Sequence, residues 1–289
     1  MSLYELTDAR HGRFVYNTND KFVGRSLAIY GEWSEAEISL FRQIVREGDT
    51  VIEAGANIGT HTVFLSRAVG ASGKVLAFEA SRHTHQLLCA NMALNECLNV
   101  HAIQKAIGEA NGSALFPLMD PAQPGNFGEA SLRSASTAAA TEEVAMQSID
   151  ALALERLDFI KADIEGHELA LLVGAVEALR KFRPVVYLEI DCANGKPTGN
   201  RDELVNFLEP LGYAAFYYIA PMFNPANFRG VNEDHMGAMS LDLVCVPVEK
   251  ASMLGLTQAK AGDDAIHISP GSLTYNTLPW DHANFRRLP

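Results

Sequence analysis

From residue 50 onward, apolar residues come in short unbroken runs, and between the runs they return at helical spacing. The runs at Thr50–Ala54 and residues 74–79, 100–106, 157–163 and 185–190 read as strands. Apolar runs of that length, bounded by turn residues, suit a sheet buried on both faces. The intervening helices include one begun by Val63-Phe64-Leu65 and one over Arg82–Leu94 with Leu87, Leu88 and Met92 inward. A third has Leu169, Leu172, Val173, Val176 and Leu179 on one stripe, and a fourth covers residues 201–211. Strands alternating with helices imply a parallel sheet with helices on both faces. Residues 214–219 and 241–246 fit a closing pair that adds one antiparallel strand.

Upstream, Phe14-Val15-Tyr16 and Phe22-Val23 flank Asn17-Thr18-Asn19-Asp20, as in a hairpin closed by turn formers. Ser34-Glu35-Ala36-Glu37 reads as a capping box, opening a helix with Ile38, Phe41, Ile44 and Val45 on one face. The expected organisation is a hairpin-and-helix extension at 1–49, an α/β core at 50–250 and a tail at 251–289. Two segments break the rhythm. Residues 113–118 and 143–146 are strand-like, but a mobile aperiodic connection that includes 131–140 separates them and reads equally as a surface insertion or a lid. Residues 221–239 are rich in Asn, Pro and aromatic side chains, and read equally as a cap, together with the N-terminal hairpin, over a ligand site or as a loop that Phe223 and Phe228 seal to the core.

Composition narrows the class. At 48% hydrophobic, 289 residues can build a full core. The formal charge of −12 disfavours a nucleic-acid partner, because phosphate binding relies on Lys and Arg. Cys89, Cys97, Cys192 and Cys245 are widely spaced and read as free thiols. No run approaches a membrane span and the first residues are not a basic-then-apolar leader, so a cytoplasmic protein without membrane contact is expected.

The chemistry starts at Glu53-Ala54-Gly55-Ala56-Asn57-Ile58-Gly59, where a strand meets a small-residue turn and then a helix. Such a turn lets backbone approach a ligand closely. A dinucleotide fingerprint needs glycine where Asn57 stands. The carboxylate of Glu53 would be a poor neighbour for pyrophosphate but a good one for the sulfonium and ammonium of S-adenosyl-L-methionine. Glu79 ends the second strand 20 residues after Gly59, where an acid can accept both ribose hydroxyls; alternatively it is a helix N-terminal acid ahead of Ser81.

With these residues, Gly31-Glu32-Trp33, Phe78-Glu79 and above all Phe159-Ile160-Lys161-Ala162-Asp163-Ile164-Glu165-Gly166-His167-Glu168, the chain resembles the FkbM-type methyltransferases from about Val23 to Val246. The resemblance implies a Rossmann-like seven-stranded methyltransferase sheet and O-methylation of a small hydroxylated acceptor such as a sugar or natural product. It also implies that Glu53, Gly55, Asn57 and Gly59 line the methionine end of the donor, that Glu79 takes the ribose, and that Asp163 sits beside the reacting methyl. Asp163 and His167 are the catalytic candidates, His167 because its ordinary pKa suits a base near neutral pH. Glu165 and Glu168 read equally as first-turn acids, and His61 as a structural or donor-pocket residue. Asp163 with Glu189 and Asp191 could hold Mg²⁺. Two other classes compete: an NAD-type oxidoreductase, and a module that binds S-adenosylmethionine without turnover. A nucleic-acid base methyltransferase would want Asn/Asp-Pro-Pro-aromatic after strand four, and Asn224-Pro225-Ala226-Asn227 falls elsewhere. A homo-oligomer is left open.

Overall fold

Short apolar runs become the strands of one central sheet, because each must bury side chains on both faces. The computed structural model describes residues 2–190, 192–193, 196–197, 200–263 and 282–288. A hairpin of β1 (Tyr4–Ala9) and β2 (Gly12–Asn17) precedes helices α1 (Val23–Tyr30) and α2 (Glu35–Ile44). Next come β3 (Thr50–Ala54), α3 (Thr60–Val69), β4 (Lys74–Phe78), α4 (Arg82–Leu94) and β5 (Val100–Ile103). The strands β6 (Ala106–Ile107), β7 (Gly112–Pro117) and β8 (Thr141–Gln147) form a separate small sheet. The core resumes with β9 (Phe159–Ala162), α5 (Glu168–Val173), α6 (Val176–Phe182) and β10 (Val185–Glu189). After the short pair β11 (Cys192–Ala193) and β12 (Lys196–Pro197) follow α7 (Asn200–Leu208), β13 (Tyr213–Pro221), β14 (Met239–Pro247), β15 (Ala251–Leu254), β16 (Gln258–Ala259) and β17 (Asn284–Arg287).

The main sheet runs β16-β13-β14-β10-β9-β3-β4-β5. The seven expected strands are present with β14 antiparallel, and the two-residue β16 adds an eighth, also antiparallel, at the edge. One face carries Val51, Phe159, Tyr187 and Val244 beneath side chains of α1 to α4. The other carries Ile52, Ile160, Val186 and Leu243 beneath α5 to α7. Among the described residues, no helix is long and apolar enough to cross a membrane. Cys89, Cys97 and Cys245 are free thiols.

Several expectations need correction. The hairpin turns at Arg10-His11 rather than at 17–20, and Val23–Tyr30 is helical. Ser34 takes a left-handed conformation and its side chain does not cap α2, so the capping-box reading fails. Strand three stops at Ile103, since residues 106–107 pair with β8 instead. The stripe from Leu169 to Leu179 is two helices broken at Gly174-Ala175, and Val173 is exposed while Leu171 is buried. Residues 131–140 are not aperiodic, because Leu132–Thr137 forms a 3-10 helix. Asp191, the Cys192 side chain and residues 264–281 of the tail lie outside the described residues.

Candidate active site

A parallel sheet opens a crevice at its carboxyl edge, where successive connections leave for opposite faces. Here that crevice is a cavity of about 230 Å³. Strand order sorts its lining. Gly55, Ala56 and Asn57 follow β3, Glu79 and Ala80 follow β4, and Lys105 to Ile107 follow β5. Asp163 follows β9 at the centre. On the other side stand Glu189 at the end of β10, Ser240 and Asp242 near the start of β14, and Met222 beyond β13.

The turn after β3 is built by backbone. Gly55 (φ +77°) and Ala56 both donate to the Phe78 carbonyl, at 3.0 and 2.9 Å. A Cβ at Gly55 would run into the Asp163 carbonyl oxygen, so only glycine lets the two loops meet. Glu79 is locked by the same turn, its carboxylate accepting from the Asn57 N–H at 2.9 Å and the Ser81 N–H at 2.8 Å. Burial pushes its pKa up to about 7 against those two bonds. Ser81, not Glu79, caps α4.

Two candidates stand back from the cavity. Glu53 does not line it; buried under α3, it accepts from Thr62 Oγ1 at 2.6 Å, and burial pushes its pKa up to about 7. Gly59 does not line it either, and a Cβ there would strike Met92 and Leu88 of α4. Glu168 is buried too, its carboxylate accepting from the Ile164 and Gly166 N–H groups at 3.1 and 3.2 Å. It therefore ties its own loop, and burial pushes its pKa up to about 7. His167 lines the cavity beside Gly108, half-buried, with Glu109 and Arg133 bearing on it; burial lowers its pKa.

The residue missed in the sequence is Lys161. Its side chain is only 2% exposed, and Nζ donates to Asp163 Oδ2 at 3.0 Å. Register sets Glu53, Lys161 and Tyr187 side by side on the face covered by α2 and α3. Burial works against the lysine's charge, but Asp163, Glu53 and Glu37 outweigh it and hold its pKa above the ordinary lysine value. Conversely, burial would raise the Asp163 pKa, but Lys161, a hydrogen bond with Glu189 and nearby His61 together bring it below the ordinary value. Glu37, read as half of a capping box, instead lines the cavity, with Oε2 3.3 Å from His61 Nε2. Lys161 had one visible signal: a lysine inside an apolar strand must be paired when the strand is buried.

Oxygen atoms of Asp163, Glu165 and Glu189 come within 4.8 Å of one another. The set does not fit a dication as it stands. Lys161 already pairs with Asp163, and burial together with Asp163 raises the Glu189 pKa well above the ordinary carboxylate value, which disfavours the charged ligand set a dication needs.

The walls come from outside the sheet. Phe22, Val23 and Trp33 close one side, and Phe116, Phe127 and Leu132 of the segment between β6 and β8 close the other. The two walls are joined where Lys21 N–H donates to Gly125 O at 2.9 Å and Gly125 N–H to Asn19 O at 3.1 Å. From 221–239 only Met222, Ala238 and Met239 reach the cavity, while Phe223 packs at a tilt against Tyr30 and His235 stacks on it.

A profile of the methyltransferase FkbM domain matches residues 53–214, more than half of the chain. Methyltransferase sdnD of Sordaria araneosa is 28% identical over 193 residues, covering 56% of this chain and 73% of that protein. A shorter match of 61 residues at 41% identity covers 21% of this chain and 20% of the tRNA (adenine(57)-N(1)/adenine(58)-N(1))-methyltransferase TrmI of Methanocaldococcus jannaschii. Methyltransferase FkbM from Methylobacillus flagellatus KT, a solved structure, superposes with a TM-score of 0.39 at 16% identity over 71% of this chain and 49% of that one. That overlap is too loose to add to the fold described above. The profile spans the Gly55 turn, Glu79 and the whole Asp163-to-Glu168 segment, and the chain belongs to the FkbM methyltransferase family.

Proposed function

We propose that the protein transfers a methyl group from S-adenosylmethionine to a hydroxyl of a small molecule. The observation that carries the reading is the convergence of Gly55 to Asn57, Glu79 and Asp163 on one cavity at the carboxyl edge. In this reading the β3–β4–β5 half takes the donor, with Glu79 on the ribose, Asn57 and Gly55 along the methionine, and Glu53 and Gly59 supporting that turn from behind. The β9–β10–β14 half takes the acceptor. The sulfonium is already a good leaving group, so the protein's work is to orient the hydroxyl and remove its proton. The Asp163 side chain, 37% open, faces the junction of the two halves and would hold the acceptor hydroxyl near the cationic methyl. Two imidazoles line the cavity and either could take the proton: His167 and His61. No step is routed through Mg²⁺.

Calorimetry with S-adenosylmethionine, its demethylated product and NADH tests the donor, and tighter NADH binding would sink the reading. Radiolabelled methyl transfer to a panel of sugars, phenols and aliphatic alcohols tests the acceptor class. Transfer to nitrogen acceptors alone would remove the hydroxyl, and binding without any transfer would favour a non-catalytic module. With an active acceptor, Asp163→Asn should lower turnover by about 100-fold or more. EDTA should leave wild-type turnover unchanged, and a loss restored by Mg²⁺ would contradict the lysine-paired view of Asp163.

A further inference from the structure

Resting on that O-methylation reading, we infer that His61, backed by Glu37, takes the proton of the acceptor hydroxyl. Both line the cavity from the face of the sheet that holds Lys161, on first turns of α3 and α2, and Phe41 packs edge-on against the imidazole at 5.5 Å. His61 is 4% exposed, and its ring is hydrogen-bonded to the Ser34 backbone. That bond engages Nδ1, because Nε2 is buried with no hydrogen-bond partner among the described residues. A buried ring nitrogen whose nearest protein neighbour is a carboxylate oxygen at 3.3 Å, outside hydrogen-bond geometry, is costly, so its place on the cavity wall points to a ligand that supplies the missing hydrogen. The Glu37 carboxylate at 3.3 Å lies close enough to compensate charge.

The electrostatics agree. Burial first, then Lys161, lowers the His61 pKa well below the ordinary value, so the imidazole is neutral and its Nε2 lone pair is available across neutral pH. The charged and titratable groups bearing on it are Lys161, Asp163, His11 and Glu37. His167 has different company: Gly108 and Glu109 beyond β6 and Arg133 of the 3-10 helix. In the step, the acceptor oxygen forms a bond to the methyl carbon as the carbon–sulfur bond breaks, and the sulfur keeps the electron pair. The hydroxyl proton passes to Nε2. The resulting imidazolium is balanced by Glu37, and the proton leaves to solvent after product release.

The test uses the full chain, S-adenosylmethionine and whichever hydroxyl of the panel the wild type methylates. His61→Ala should lower kcat by about 100-fold or more while donor Kd changes by less than about threefold, and added imidazole should restore part of the lost turnover. Glu37→Gln should lower kcat less and leave donor affinity unchanged. His61→Gln, with donor binding and melting checked, replaces His61→Ala if that variant does not fold. Near-wild-type kcat in the His61 variants, a loss confined to donor KM, absence of imidazole rescue, or a larger loss in His167→Ala would each overturn the assignment. A wild type that binds the donor but methylates no hydroxyl would instead remove the O-methylation reading, and this inference with it.

Discussion

Glu79 carries two opposing demands. In the proposed donor site its carboxylate would receive ribose hydroxyls most strongly when ionised, yet burial raises its pKa to about 7. An unfolded glutamate titrates near 4.5, so between 4.5 and about 7 the folded state holds the extra proton. Its contribution to stability is therefore full below 4.5 and is lost as pH rises through about 7. Glu79→Gln has no such proton to lose. Its melting temperature relative to wild type should climb from pH 5 to pH 7.5 and then level off. Donor affinity should do the reverse, rising with pH through about 7 in the wild type and staying flat in Glu79→Gln. Parallel pH profiles for the two proteins in both assays would take Glu79 out of the site. Because buried His61 and half-buried His83 and His167 titrate with the opposite sign, only the difference between the two proteins isolates this residue.

The elements around the cavity divide into walls and braces. The 3-10 helix Leu132–Thr137 is a wall: Leu132 lines the cavity, and the Arg133 guanidinium occupies the space where a Cβ at Gly166 would sit. Most of 221–239 is brace. Asn224 Nδ2 donates to Glu32 Oε1 at 2.9 Å, and the Phe228 N–H to Glu32 Oε2 at 2.8 Å, which pins the loop to the Gly31-Glu32-Trp33 corner. Hydrogen exchange with saturating donor should therefore slow across 126–137 and leave 224–235 unchanged. Slowing across 224–235 with no effect on the 3-10 helix would reverse the two roles.

Across the whole molecule, extension and tail share the core of the sheet. β17 pairs with β15 at the far end of the chain, and Phe285 packs into the same cluster as α2 and β3. Phe285 N–H donates to Gln43 Oε1 at 3.3 Å, and Arg287 lies 3.4 Å from Asp49. These contacts hold the tail against α2, the helix that bears Glu37. Phe285→Ala should cost about 3 kcal/mol of stability, the usual range for emptying a buried phenylalanine site. It should leave donor affinity within about twofold at a temperature where the protein is folded. A variant that melts like the wild type would show the tail to be dispensable to the core.

What could be read along the chain was what nearest neighbours decide. Apolar runs marked β3, β4, β9 and β10, the spacing within Arg82–Leu94 marked α4, and the Gly55 turn and Glu79 followed from a strand end and its connection. Periods of two and 3.6 residues need no knowledge of distant contacts. The same locality misled at 17–30, where turn formers resembled a hairpin and the apolar residues belonged to a helix, and at Ser34-Glu35-Ala36-Glu37, where a local capping pattern concealed a cavity carboxylate. The Lys161 cluster lay beyond such reading. Glu37, Glu53, His61, Asp163 and Lys161 come from two helices, two strand ends and a strand interior, and they meet only because β9 lies between β3 and β10 with α2 folded over them. Burial then converts five ordinary side chains into a mutually dependent set, since a charge removed from water must be met by another. Local spacing settled where backbone turns; the order of strands settled which charges share a site.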